Sequence, residues 1–131
     1  MFYKALQKKK NNKKAFTLIE LIVVIAIIGV LVAILVPTMT GFVNEAKLST
    51  ANANARTIYS IAQAEATFQQ VSGEGIPTSA TVTAAIADQV GDMDGTYEVT
   101  VGADGNVTLV TFTLADGTTE GQYPPAAPAA T

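Results

Sequence analysis

Cysteine and histidine are both absent from the 131 residues. Their absence excludes disulfides, thiol nucleophiles, thiolate or imidazole metal sites and every histidine-dependent catalytic arrangement. Phosphate-binding glycine motifs of the GxGxxG or P-loop type are missing, and the serines have no imidazole to activate them. Neither an enzyme nor a cofactor or metal site is expected. Positive charge is also scarce over most of the chain. Six of the eight bases (Lys4, Lys8, Lys9, Lys10, Lys13 and Lys14) fall in the first fourteen residues, and only Lys47 and Arg56 follow. All eleven acids lie beyond that basic run, so the chain past residue 15 carries 2 − 11 = −9 in side-chain charge. A field of that sign disfavours nucleic acid, and no direct nucleic-acid site is expected.

What the chain does have is a long apolar run. Between residues 16 and 36 only Thr17 and Glu20 are polar. As a helix rising 1.5 Å per residue, the run spans about 30 Å, the thickness of a bilayer core. Lysines before it and almost no positive charge after it predict a single pass with the N-terminus in the cytoplasm. A cleavable secretory signal would have a shorter apolar region followed by a small-residue site, and none is present between residues 36 and 41. Any cut is instead expected at the Lys14-Ala15-Phe16 junction, where charge gives way to hydrophobicity.

Glu20 is the anomaly, because an acid at the centre of a membrane helix costs about 2.5 to 3.5 kcal/mol. Two readings stand: it reaches the headgroup region one turn inside the helix, or it awaits a cation supplied on assembly. A cut before Phe16 creates an α-amino group one helical turn away, which suits the second reading. Gly29 and Pro37 weaken the helix that follows. Glycine costs about 1 kcal/mol in a helix interior, and proline removes a donor and crowds the preceding turn.

The segment FTLIELIVVIAIIGVLVAILVP after a lysine-rich leader resembles the class III signal of type IV pilins and related pseudopilins. The aromatic start, the glutamate at the fifth mature position, Gly29 and Pro37 fall where that family places them. The resemblance implies cleavage after Ala15 by a prepilin peptidase, methylation of the Phe16 amine by the same peptidase/methyltransferase, and polymerisation with other pilin subunits. Glu20 would set subunit register by pairing with a neighbouring Phe16 amine. Lys8, Lys9, Lys10, Lys13 and Lys14 would supply leader charge and orientation, and the helix between Gly29 and Pro37 would be able to lose helicity on assembly. An inner-membrane assembly platform with a cytoplasmic ATPase is the further implied partner. The family usually has glycine before the cut, where this chain has Ala15. The implied product is an extracellular filament used for adhesion, surface motility or DNA uptake. The alternative is a pseudopilin of a type II secretion or competence system.

Past Pro37, Leu48, Ala51, Ala55, Ile58, Ile61, Ala62, Phe68 and Val71 recur at spacings of three and four, which predicts an amphipathic continuation of the helix. Gly73, Gly75 and Pro77 end it. A short helix is expected over residues 79–90, with Ser79 as its cap and Val82, Ile86 and Val90 on one face. Asp104-Gly105 predicts a hairpin with Ala103 opposite Asn106, Val101 opposite Thr108, Val99 opposite Val110 and Tyr97 opposite Phe112. Asp116-Gly117 would return a third strand with Tyr123 opposite Val110. Turn chemistry, rather than a calcium loop, accounts for Asp92 to Gly95. Tyr59, Tyr97 and Tyr123 read as packing residues.

The expected fold is α+β and pilin-like: a long N-terminal helix packed against a small antiparallel sheet of two or three strands. Its parts are a cleaved leader (1–15), a membrane or filament-core helix (16–36), its amphipathic continuation (37–71), a head (72–123) and a Pro/Ala-rich tail (124–131). Before assembly the chain would sit in the cytoplasmic membrane, and afterwards in an extracellular pilus.

Overall fold

A computed structural model describes residues 15–127. The leader and the last four residues of the tail lie outside the described residues. Five elements follow in order: α1 (Leu18–Ser72), α2 (Ser79–Val90), β1 (Gly95–Val101), β2 (Val107–Leu114) and β3 (Glu120–Tyr123). The chain divides into two compact units, Met1–Met39 and Thr40–Thr131, with α1 contributing to both.

In the first unit the described part of α1 is apolar and its large side chains from Leu18 to Val36 are exposed. It is the one helix among the described residues long and apolar enough to cross a membrane. Pro37 lies inside α1 without ending it. The Thr38 hydroxyl donates to the Leu35 carbonyl at 2.8 Å, adding a bond in the turn that proline's missing N–H weakens.

In the second unit the sheet has order β1-β2-β3, antiparallel throughout. Alternation puts Val99, Val110 and Phe112 in the core, where a register shift brings Val107 as well, while Thr96, Glu98 and Thr100 point outward from β1. The helix offers Ala51, Ala55, Ile58, Ala62 and Ala66 to that core, and α2 adds Val82, Ile86 and Val90. Four alanines make the helix face flat, so the sheet can approach closely. The closest approach is at Gly121, where an added Cβ would meet the backbone of Ala51 and Asn52 and come within 2.7 Å of the Ala51 Cβ. The edge of β3 is closed there by Asn52, whose Oδ1 accepts from the Gln122 amide at 3.0 Å.

Most of the predicted pairing is present: Tyr97 opposes Phe112, Val99 opposes Val110, and Tyr123 opposes Val110 on the other side. Val101, however, faces Val107 rather than Thr108. The hairpin tip is one residue longer than a two-residue turn. The Gly105 amide donates to the Gly102 carbonyl, Gly105 has φ +80°, and the Gly102 amide closes on the Asn106 carbonyl. A bulge between Thr100 and Val101 offsets the longer tip and restores the register below it. The Val101 N–H finds its partner outside the sheet, in the Ser79 hydroxyl at 3.0 Å.

Ser79 is therefore not the cap of α2. Thr78 is, with its hydroxyl accepting from the Thr81 amide at 3.3 Å and its own amide donating to the Thr81 hydroxyl at 3.0 Å. The buried face of α1 also departs from the expected stripe at both ends. Leu48, Phe68 and Val71 are 46%, 65% and 83% exposed, and Ala66 and Gln69 are buried in the positions expected of Phe68 and Val71. At about 100° per residue, Val71 lies on the side of the helix opposite Ala62, so spacings of three and four drifted off one face. Gln69 is accommodated by donating to the Glu65 carboxylate at 3.1 Å.

Candidate functional site

Among the residues singled out for function, Ala15, Phe16, Glu20, Gly29 and Pro37 are described, whereas Lys8, Lys9, Lys10, Lys13 and Lys14 fall outside the described residues. Residues 15–17 are non-helical and exposed, with Phe16 85% accessible. The helix starts abruptly at Leu18 because Thr17 caps it. The Glu20 amide donates to the Thr17 hydroxyl at 3.3 Å, and the Glu20 carboxylate accepts from the Thr17 amide at 2.9 Å. These reciprocal bonds form a capping box and satisfy two amides that the first turn would otherwise leave unpaired. The carboxylate also meets the positive end of the helix dipole, an effect of about 0.3 to 1 kcal/mol near a helix start.

Glu20 thus has a partner within its own chain, which reading it as an isolated membrane acid missed. The signal was there in Thr17-Leu18-Ile19-Glu20, the threonine-to-glutamate spacing that marks a capping box ahead of an apolar run. Gly29 and Pro37 both lie within α1, eight residues apart and distant in sequence from the cap. An added Cβ at Gly29 would meet nothing within 4 Å. The surface beside it is open to an approaching neighbour.

Within the second unit, two turns are each organised by an aspartate. Asp116 accepts from the amides of Thr118 and Thr119, at 3.0 and 2.9 Å, and from the Thr119 hydroxyl at 2.8 Å. Lys47 on α1 completes the set at 3.1 Å. The two threonine amides, then the hydroxyl and Lys47, hold the Asp116 carboxyl far below the usual carboxylate range. Asp104 is lowered as well, by the Asn106 side chain and then its backbone amide. Both acids organise turns, and no group of acids able to hold a metal occurs among the described residues.

Fold and N-terminal site together define an α+β protein of pilin-like architecture, with a long capped helix, apolar at its start, and a three-stranded antiparallel sheet. Residues 10–36 match the family described as the prokaryotic N-terminal methylation motif. The chain is also 46% identical over 68 residues to the type IV narrow pilus major component PilA5 of Thermus thermophilus, covering 50% of this chain and 53% of that protein. It therefore spans about half the length of the curated relative it matches. No solved structure matches the chain. The motif and the relative together make the chain similar to type IV pilins and support a pilus subunit.

Proposed function

We propose that the chain is a structural subunit of a type IV pilus, cut between Ala15 and Phe16, methylated on the new Phe16 amine and polymerised through its apolar helix. The observation that carries this reading is the coincidence of the methylation motif with a helix that begins, fully capped, two residues after the proposed cut. The cap keeps residues 15–17 out of the helix, leaving the Ala15–Phe16 bond as exposed, non-helical backbone for a peptidase. The capping box lies beyond that bond and survives cleavage. Glu20 then meets the new ammonium as well as the Thr17 amide, and a second copy's amine can compete for the same carboxylate. The exposed apolar side chains from Leu18 to Val36 suit lipid before assembly and neighbouring helices afterwards. Gly29 and Pro37 supply the places where this helix can give way as it moves from one environment to the other.

The test is mass spectrometry of the N-terminal peptide from protein sheared off native cells. A peptide beginning at N-methyl-Phe16 is the expected result. A lysine-bearing N-terminus, or no sheared protein, would overturn the pilus reading in favour of a membrane-retained pseudopilin or anchor. Within that assay, Glu20→Ala should insert in the membrane but enter filaments poorly in competition with the wild type.

A further inference from the structure

Ten of the eleven carboxylates but only two of the eight cations lie from Thr40 onward. Lys47 is consumed within the chain by Asp116. Arg56 is exposed and has no carboxylate partner among the described residues. Its guanidinium carbon lies 5.6 Å from the centroid of the Tyr123 ring. That ring is set edge-on against Tyr59 with centroids 5.0 Å apart, and the Tyr59 hydroxyl donates to the Val107 carbonyl at 3.1 Å. A shallow cleft around the cation is lined by Asn52, Ala53, Arg56, Gln122, Tyr123 and Pro125. The Asn52 oxygen is taken by the Gln122 amide, while its Nδ2 has no partner among the described residues. The cleft therefore joins a cation without a carboxylate partner among the described residues to the Asn52 amide group on a stiff aromatic footing, the chemistry that receives a carboxylate.

Two copies brought side by side meet as like charges, since each unit from Thr40 carries ten acids against two bases. Arg56 is the one described cation in that unit able to offset the repulsion without breaking the Lys47–Asp116 pair. We infer that the Arg56 cleft is a docking point for a carboxylate of a second copy of this chain. The inference rests on the pilus-subunit reading and deepens it by naming a contact between heads, separate from the apolar helices. Arg56 supplies the attraction through its positive charge, which is held beside the Tyr123 ring.

The test compares two full-length variants that make the same change in net charge at different places. Arg56→Gln removes one positive charge from the cleft, and Gln89→Glu adds one negative charge on the exposed face of α2. Each is expressed in native cells, and the fraction of chain recovered in sheared filaments is measured beside the wild type. Arg56→Gln should reduce that fraction about tenfold, with Gln89→Glu staying close to the wild type. Equal losses would mean that only the overall field matters, and no loss in Arg56→Gln would mean that the cleft is idle; either overturns the inference. If the Arg56→Gln chain in detergent melts well below the wild type, Arg56→Lys carries the test. Filaments retained with lysine support a charge contact, and filaments lost with lysine in a chain that melts normally overturn it. Failure of the wild type itself to form filaments would instead sink the pilus reading, which keeps the two outcomes apart.

Discussion

Replacing Gly121 by alanine tests the closest approach between helix and sheet. The new methyl carbon would lie within 2.7 Å of the Ala51 Cβ and tighter still against the Ala51–Asn52 backbone. Carbon atoms pack comfortably at about 3.5 to 4.0 Å, so β3 must lift off α1 by roughly an ångström or more. Overpacking of this kind costs about 1 to 3 kcal/mol. Lifting β3 also strains the bond from the Gln122 amide to Asn52 Oδ1, worth about another 1 kcal/mol. A loss of about 2 to 4 kcal/mol in a unit of this size corresponds to a fall in Tm of roughly 10 to 25 °C. The assay is thermal unfolding of the detergent-solubilised full chain by circular dichroism near 218 nm, with Gly41→Ala as control. Gly41 is helical and a Cβ there meets nothing within 4 Å, so alanine should leave Tm unchanged or raise it. A Gly121→Ala chain melting within about 2 °C of the wild type would refute the argument that bare backbone contact seats the sheet on α1.

The remaining predictions concern the core, the cap and acid. Phe112 is fully buried on β2, the middle strand, so Phe112→Ala should cost about 3 to 5 kcal/mol and show as a large fall in the denaturant midpoint. A loss below about 1 kcal/mol would place the core elsewhere. Thr17→Ala removes the hydroxyl that receives the Glu20 amide; about 1 kcal/mol of local stability should go, and hydrogen exchange at the Glu20 amide in micelles should quicken about fivefold. Unchanged exchange there would disprove the capping box. Asp116 has its pKa depressed in the folded chain, so its contribution is fully present above the unfolded carboxylate value and is lost as pH falls through the acid range below it. Stability should therefore decline on acidification below about pH 4, and the decline should be shallower in Asp116→Asn. Equal slopes in both chains would show that the turn does not depend on the charge.

Much of the architecture was written in local pattern. The apolar run, the end of α1 at Gly73, the α2 face of Val82, Ile86 and Val90, and the pairings of Tyr97, Val99 and Tyr123 follow from periodicity and turn chemistry, which act over a few residues. Likewise the motif around Phe16 and Glu20 is a string of adjacent residues and can be read without knowing where anything else lies. The cap at Thr17 is equally local, since Thr17 and Glu20 lie three residues apart and pair within the first turn.

Tertiary structure alone decided the contacts between residues distant in the chain. Spacings of three and four fit several faces of a helix, and only the sheet laid against α1 selected Ala66 and Gln69 over Phe68 and Val71. No local rule predicts that β3 would ride on Ala51 and so require Gly121, or that Ser79 would take the amide freed by a bulge at Val101. The pairing of Lys47 with Asp116 spans 69 positions, and it leaves Arg56 as the one cation of its unit without a carboxylate among the described residues. Sequence determined which segments form helices and strands, because that choice rests on nearest neighbours along the chain. The fold determined which charges are spent and which remain for another molecule, because that depends on which neighbours meet in space.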